Sequence, residues 1–303
     1  MDILVVGSVA FDTVETPFGQ VEDVLGGSAT YFSTSASFMT GVQLVAVVGE
    51  DFPEEPKDFL KSRGIDLAGL QTRPGETFRW KGRYGYDLNE AHTLETHLNV
   101  FESFHPKLPE VFCSAQYVFL ANIDPELQLE VLAQVDKPRL VACDTMNFWI
   151  DGKRDALIKT LKRVDILLIN EAETRQLANE ANLVKAARSI LDMGPSTLVV
   201  KRGEYGVLVF SEQGVFSAPA YPLEEVFDPT GAGDTFAGGF VGYLASTDNL
   251  SDSSIRKATV FGSVMASFTV EDFSLNRLRD LTWTEIEARF RKFQALTQFE
   301  GLS

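Results

Sequence analysis

The sequence is poor in the residues that build metal centres and disulfide networks. It has 2 cysteines and 3 histidines among 303 residues. Cys113 and Cys143 share no short spacing with each other or with a histidine, so neither a zinc site nor a disulfide framework is expected. Because free cysteines are typical of reducing compartments, we expect a cytoplasmic protein.

Positive charge is also scarce, and long apolar runs are missing. The chain has 27 Lys and Arg against 43 Asp and Glu, a formal net charge of −16 and a pI near 4.6. An acidic surface of this kind repels a nucleic-acid backbone. No basic segment precedes the apolar N-terminal stretch, and no apolar run reaches the roughly 18 residues of a membrane span. We therefore expect neither nucleic acid nor membrane as a partner.

Hydrophobic residues make up 45% of the chain, and their pattern changes between two types along it. Short apolar runs, typical of strands buried on both faces, occur at 3–6, 44–48, 117–120, 140–142, 166–169 and 198–200. Helical periodicity occurs at 28–39, 54–62, 126–133, 155–161 and 183–191, and again at 235–245, 255–269 and 284–295. The alternation predicts an α/β fold with a central, largely parallel sheet flanked by helices. Such sheets bind ligands at the carboxyl ends of their strands.

Residues 77–100 depart from this pattern and predict a β-hairpin outside the main sheet. Segments 77–87 and 93–100 alternate with period two, with a turn at 89–91. One face of the first strand is aromatic, with Phe78, Trp80, Tyr84 and Tyr86, and the other is basic, with Arg79, Lys81 and Arg83. Because an isolated ribbon is unstable, the aromatic face is expected to cover the main domain or a second subunit. The basic face either meets an anionic substrate or pairs with Glu95 and His97 of the second strand.

The segment 228–235, Asp-Pro-Thr-Gly-Ala-Gly-Asp-Thr, precedes an apolar helix and carries the strongest chemical signal. Small residues at 231–233 let backbone N–H groups converge on an anion at the helix N-terminus, where the helix dipole favours negative charge. Asp234 follows in the first turn, where its carboxylate can take a proton from an attacking hydroxyl. The alternative is a glycine-rich turn in which Asp234 only caps the helix. We favour the anion cradle.

Together with four further motifs, this segment resembles the PfkB or ribokinase-like family of sugar and nucleoside kinases. That family's signature is Asp-Thr-x-Gly-Ala-Gly-Asp or a close variant, and the resemblance covers nearly the whole chain. The other matching motifs are the opening Gly7 to Asp12, the glycine pair Gly26-Gly27, the Gly49-x-Asp51 element and the Asn170-x-x-Glu173 motif. Their order and spacing, more than any one of them, carry the resemblance.

The resemblance implies one ribokinase-like kinase domain, 1–303, with a β lid inserted at about 13–25 and 72–102. It implies ATP and Mg²⁺ as cofactors, with K⁺ as a candidate, and a homodimer formed through the lid. By resemblance Asp234 is the catalytic base, and Gly231, Ala232 and Gly233 form the anion hole. The residues expected at the ATP are Lys201, Gly203, Thr230, Gly231 and Gly233. Lys201 has an equal alternative as an ordinary solvated lysine at a strand end.

The metal-binding expectations also come from the resemblance. Asn170 and Glu173 would hold Mg²⁺ through water, although Asn followed by Glu three residues later is also a helix capping box. Asp228, with the backbone of Thr230, lies where some relatives hold a monovalent cation.

A third set of residues concerns the acceptor substrate. The residues expected to bind it are Asp12, Gly26, Gly27, Tyr31, Asp144, Asn147 and Asp234. Tyr31 stands where ribokinase-like and adenosine-kinase-like members usually have an asparagine that binds sugar hydroxyls, and a phenol does not reproduce an amide. Asp144 and Asn147 loosely resemble an Asp-Pro-Asn segment, or form an Asx turn.

The predicted function is therefore an ATP-dependent kinase that phosphorylates a hydroxyl of a small sugar, a pentose, a hexose or a related carbohydrate. A nucleoside kinase and an inositol-like polyol kinase are the alternatives. A catalytically silent sugar-binding regulator is less favoured, because the base and the anion-hole glycines are all present.

Overall fold

A computed structural model of the chain describes residues 1–298. Within them the strands are β1 (Ile3–Val6), β2 (Ala10–Thr16), β3 (Gly19–Gly26), β4 (Val42–Gly49), β5 (Ile65–Arg73), β6 (Phe78–Tyr84), β7 (Ala91–His97), β8 (Tyr117–Leu120), β9 (Leu140–Asp144), β10 (Ile166–Asn170), β11 (Thr197–Lys201), β12 (Val207–Ser211) and β13 (Gly214–Ala218). The helices are α1 (Ser28–Ala36), α2 (Glu54–Ser62), α3 (Pro125–Leu132), α4 (Asn147–Gly152), α5 (Arg154–Leu161), α6 (Glu171–Ala178), α7 (Leu183–Leu191), α8 (Ala232–Thr247), α9 (Asp252–Thr269), α10 (Asn276–Asp280) and α11 (Trp283–Thr297).

The main sheet has nine strands in the order β13-β12-β11-β10-β9-β8-β1-β4-β5. From β11 to β5 all neighbouring strands are parallel, and β12 and β13 extend one edge antiparallel. The inner strands are continuous apolar runs because helices cover both faces of the sheet. The predicted α/β fold with a largely parallel sheet is confirmed.

Two hydrophobic cores lie on the two faces of this sheet. Along β1, Ile3 and Val5 point into one core and Leu4 and Val6 into the other, as alternation in a strand requires. Helices α1, α2 and α8–α11 cover the first face, and α3–α7 cover the second. No helix among residues 1–298 has the length and apolar character needed to cross a membrane.

A separate sheet of four strands, in the order β3-β2-β6-β7, stands beside the main sheet, and we call it the small sheet. Strands β2 and β6 are parallel in its centre, and β3 and β7 pair antiparallel at its edges. The base of β6 is fixed by Asp51, whose Oδ1 accepts hydrogen bonds from Thr77 N (2.7 Å) and Thr77 Oγ1 (2.6 Å). The predicted hairpin is present as β6 and β7.

The two faces of the small sheet differ in chemistry. Asp12 of β2 pairs in register with Trp80 of β6, so both side chains lie on the same face. The other face carries the basic residues, and each has an acidic partner: Arg79 with Asp23 and Asp51, Lys81 with Glu95 (3.6 Å), and Arg83 with Glu15 (2.8 Å). Pairing with acids, mostly from β2, β3 and the loop after β4, therefore explains the basic face.

Candidate active site

The anion cradle lies at the start of α8. Gly231 precedes the helix in the left-handed region, with φ of 72°, and a Cβ on it would overlap the ring of Tyr31. Ala232 N–H donates to the carbonyl of Pro229 at 3.1 Å, within the turn itself. In the hydrogen bonds of the described residues, the N–H groups of Gly231 and Gly233 have no acceptor. These two are the donors that remain for an anion, and the position of Ala232 serves the turn.

A buried ion pair lies directly beside the cradle. Lys201 ends β11, and its Nζ lies 2.9 Å from Oδ2 of Asp144 at the end of β9. A Cβ on Gly233 would lie 3.0 Å from the same Nζ, so the ammonium closely approaches the start of the helix. The side chains of Lys201 and Asp144 are 18% and 7% exposed. Lys201 is therefore a buried, paired residue beside the predicted cradle and not a solvated lysine, and its contact with ATP stays a prediction.

Two further carboxyl groups surround this pair, and together the four residues form what we call the Lys201 cluster: Asp144, Glu173, Lys201 and Asp234. Burial raises the pKa of Asp234 to about 7; Asp144 raises it further and Lys201 opposes the change. Burial and Asp144 likewise raise the pKa of Glu173 to about 7. Burial alone would lower the pKa of Lys201, but the three carboxyl groups raise it. Lys201 thus stays charged and Asp234 titrates near neutral pH.

Asn170 and Glu173 form the capping box of α6. Asn170 Oδ1 accepts from Glu173 N at 2.8 Å, and Glu173 Oε2 accepts from Asn170 N at 2.8 Å. The second carboxylate oxygen of Glu173 is left for another partner, so capping and metal binding are compatible. No group of three or more His, Cys, Asp or Glu able to hold a metal occurs in residues 1–298. These donors fit Mg²⁺, which keeps several waters and binds few carboxylates directly.

A second group of residues, which we call the Asp12 pocket, lies on the small-sheet side of the cradle: Asp12, Gly26, Gly27, Tyr31 and Tyr84. Asp12 is 5% exposed, and a Cβ on Gly26 would overlap its carboxyl group. Gly27 has φ of 94° and starts α1. The glycine pair is required because no other residue allows this close approach and this backbone conformation. Burial raises the pKa of Asp12 to about 7. A hydrogen bond from the backbone of Gly27 opposes this change, and the charges of Asp228 and Asp234 add to it.

Two tyrosines complete the Asp12 pocket. Tyr31 is 1% exposed, and among the described residues its hydroxyl has no hydrogen-bond partner. Burial, followed by the charges of Asp12 and Asp228, raises its pKa well above the usual value. Tyr84 belongs to the small sheet, and its hydroxyl accepts a hydrogen bond from Thr230 Oγ1 at 3.3 Å. The end of β6 therefore contacts the glycine-rich segment.

The carboxyl group of Asp228 holds the glycine-rich segment in shape. Its Oδ1 accepts from Thr230 N at 2.9 Å and its Oδ2 from Ser274 N at 3.3 Å. The residue is 1% exposed. Both oxygens thus have backbone donors, and monovalent cation binding at Asp228 stays a prediction.

Comparison with known proteins identifies the family. The model described as "pfkB family carbohydrate kinase" matches residues 2–279. The chain belongs to this family of kinases. The cytidine kinase of Thermococcus kodakarensis is 34% identical over 247 residues, which cover 80% of this chain and 87% of the relative.

Solved structures agree with the fold of this pfkB kinase. A Methanocaldococcus jannaschii nucleoside kinase superposes with a TM-score of 0.76 at 21% identity, covering 96% of this chain and 98% of that one. An E. coli protein described as a putative ribokinase II, in complex with ATP and Mg²⁺, superposes with a TM-score of 0.77 at 18% identity, covering 96% and 99%. The predicted family and phosphotransferase class are confirmed, and kinases of this family use ATP with Mg²⁺. The homodimer and the K⁺ requirement stay predictions.

Some of the predicted site residues of this pfkB kinase lie apart from the two groups. Asn147 is exposed, and its Oδ1 accepts from Phe148 N, the adjacent residue, at 2.8 Å, so this bond is not the Asx turn that was the alternative. Gly203 follows β11 with φ of 53°, and Oδ1 of Asn89 packs where its Cβ would be. The tip of the β6–β7 hairpin therefore reaches the turn after Lys201, across from the Asp12 pocket.

Sequence reasoning assigned Asp144 to the acceptor substrate, and the structure brings it to Lys201. It also did not single out Thr77 or Tyr84, the residues at the two ends of β6 that attach this strand to the kinase core. The period-two pattern of 77–87 was the available signal for Tyr84, because it put this residue on the same face as Trp80.

Proposed function

We propose that this kinase transfers the γ-phosphoryl group of ATP to a hydroxyl of a nucleoside, with Asp234 as the general base. The observation that carries the proposal is that Asp234 is electrostatically coupled to two chemically different groups. Asp144 and Lys201 of the Lys201 cluster act on the pKa of Asp234, and Asp234 in turn raises the pKa of Asp12 in the Asp12 pocket. The first suits phosphate and the second suits an uncharged polyhydroxy compound.

The phosphate side has the donors that phosphoryl transfer requires. The N–H groups of Gly231 and Gly233 lie at the start of α8, and the ammonium of Lys201 approaches Gly233 there. Glu173 and Asn170 would hold Mg²⁺ through water, and the bound ion would supply neutralisation of phosphate charge. These groups act by positioning the phosphoryl group and by stabilising the charge that develops during its transfer.

The acceptor side provides a hydrogen-bonding carboxyl group and the base. The acceptor hydroxyl oxygen bonds to the γ-phosphorus while the bond from that phosphorus to the bridging oxygen of ADP breaks. The hydroxyl proton passes to the carboxylate of Asp234, which must therefore be ionised beforehand. Asp12 accepts hydrogen bonds from other hydroxyls of the acceptor, since Asp234 is near enough to Asp12 to raise its pKa.

One observation favours a nucleoside over a free sugar. The chain is 34% identical to a protein named cytidine kinase. Tyr31, which packs on Gly231, does not discriminate between the two, because the asparagine it replaces is usual in sugar-kinase and nucleoside-kinase members alike. A pentose or hexose is the second candidate, because the matching family is described as a carbohydrate kinase family.

The test is ADP release from Mg-ATP with a panel of ribonucleosides, pentoses, hexoses and inositols. We expect at least one ribonucleoside to exceed every base-free acceptor tenfold in kcat/KM. Asp234→Asn should lower kcat about 10²- to 10⁴-fold, the usual value of a general base, while ATP binding is retained. Asp192→Asn, an exposed change at the end of α7, is the matched control. A sugar or polyol that outperforms all nucleosides would overturn the substrate assignment, and Asp234→Asn turnover within tenfold of wild type would overturn the base.

A further inference from the structure

We propose that Trp80 is a stacking platform for the base of the acceptor nucleoside. This inference rests on the proposed function and extends it, because it names the group that recognises the nucleobase. It starts from the orientation of one indole ring on the small sheet.

The ring of Trp80 lies flat on the sheet because residue 82 is glycine. A Cβ on Gly82 would overlap the six-membered part of the indole, so the ring occupies the space that a side chain would fill. Residues 80 and 82 share a face of β6, and Gly82 is buried. The indole therefore covers the backbone of its own strand with one of its two faces.

A hydrogen bond fixes the ring in this orientation. The indole Nε1–H donates to Thr93 Oγ1 at 3.2 Å, and Thr93 is the residue of β7 that pairs with Gly82. The indole is thus held at both its apolar face and its polar edge. Because the side chain is already ordered, little of its conformational entropy is lost when a ligand binds.

In the part of the chain that the structure describes, no aromatic ring or cation stacks on the outer face of the indole. Trp149 packs edge-on with Phe148, and Trp283 stacks with Phe261. Among residues 1–298, Trp80 takes part in none of the aromatic or cation–π contacts. A flat, held indole without a stacking partner is suited to receive a planar ring.

The position of the ring relates it to the acceptor. Trp80 is paired in register with Asp12, the carboxyl group that would bind ribose hydroxyls. It lies on the strand that ends at Tyr84, whose hydroxyl reaches Thr230 next to the cradle. A ribose at Asp12 with its hydroxyl toward Asp234 would have its base within reach of the indole. Free sugars and polyols have no planar ring, so this platform favours nucleosides over them.

The kinetic test compares four variants with the best ribonucleoside of the panel and with ribose. Base–aromatic stacking contributes about 1–3 kcal/mol, so Trp80→Leu should raise the nucleoside KM roughly 5- to 150-fold with little change in kcat. Trp80→Phe keeps an aromatic face and should recover part of the loss. Gly82→Ala keeps the indole but displaces it, and should raise KM as well. Tyr86→Leu, an 87% exposed aromatic of the same hairpin, is the matched control.

A binding test does not depend on turnover. In a Trp149→Phe/Trp283→Phe background Trp80 is the remaining tryptophan, and cytidine added without ATP should quench its fluorescence. Nucleoside turnover with an unchanged KM in Trp80→Leu, or cytidine binding without quenching, would overturn the stacking role and leave the proposed function intact. Turnover of sugars or polyols without any nucleoside would instead overturn the proposed function. Thermal denaturation of each variant separates lost binding from lost folding.

Discussion

The pH dependence of turnover tests how the Lys201 cluster affects Asp234, the proposed base. Asp234 must be ionised to accept a proton, and its pKa is raised to about 7 by burial and by Asp144. A raised pKa means that this carboxyl group is protonated, and unable to act as a base, below that value. Because the pKa values of Asp12 and Glu173 are also raised to about 7, we expect kcat/KM to fall at least tenfold per pH unit below about pH 7, although a solvated aspartate would stay ionised to about pH 4.

The acid limb of the profile is the range in which kcat/KM falls as the pH is lowered. Two substitutions that break the same ion pair should move the midpoint of this limb in opposite directions. Lys201→Met removes the positive charge that lowers the pKa of Asp234, and Asp144→Asn removes the negative charge that raises it. A charge within about 4–6 Å shifts a pKa by about 1–3 units, so we take a shift of about one unit for each change. The limb should then lie near pH 8 in Lys201→Met and near pH 6 in Asp144→Asn, by the same rule.

The assay is kcat/KM for the acceptor from pH 5 to 9 at fixed, saturating Mg-ATP, roughly the range in which a group titrating near neutral pH is resolved. Both variants will also lose rate at the plateau, so the midpoint of the limb, and not the rate, is the measured quantity. Lys162→Met, an exposed change at the end of α5, should leave the midpoint unchanged. Equal shifts of the midpoint in the same direction in Lys201→Met and Asp144→Asn would refute the electrostatic reasoning. The cause would then be the loss of the Lys201–Asp144 ion pair itself and not the sign of the charge removed.

Three further substitutions test other contacts. Gly231→Ala should lower the free energy of unfolding in urea more than Gly64→Ala does. Both glycines have a positive φ, which costs alanine about 1 kcal/mol, but only at residue 231 would the new Cβ overlap Tyr31. Equal losses in the two variants would contradict the contact. Tyr31→Phe should leave the melting temperature unchanged or raise it, since the buried hydroxyl has no hydrogen-bond partner among the described residues. The same change should raise the acceptor KM if the substrate supplies that partner, and a lower melting temperature would contradict the reasoning. Asp51→Ala leaves two donors of Thr77 unpaired, so about 1–3 kcal/mol of stability and the acceptor affinity should fall; unchanged unfolding would show that the contact is dispensable.

The main sheet was predictable because its inner strands are buried on both faces. Burial on both sides produces an unbroken apolar run, as in β1 and β8, and such runs are visible without any partner. Strands β5 and β13 were not predicted, since their exposed residues interrupt the pattern and their stability comes from pairing with a neighbour. Local sequence does not contain that information.

Contacts between distant residues limited the prediction of the site. The signature around Asp234 gave the start of α8, because helix starts depend on local residues. Asp144 and Lys201 are 57 positions apart, and each follows its own strand, so only the strand order brings them together. Tyr84 and Thr230 are 146 positions apart and lie in different sheets. Polar residues at strand ends indicate the edge of a site but not which of them meet.

The register of β2 and β6 decides which side chains of the small sheet share a face. In the observed register Asp12 and Trp80 share one face, whereas Phe11 and Arg79 share the other. A slip of β6 by one residue would exchange the side chains on its two faces, and guanidinium groups would replace the indole beside Asp12. The register is held at one end by Thr77 and at the other by the contact of Tyr84 with the glycine-rich segment. Because β7 is exposed along its whole length, burial of this edge strand contributes little to that choice. The two polar contacts at the ends of β6 therefore preserve the arrangement on which the proposed acceptor recognition depends.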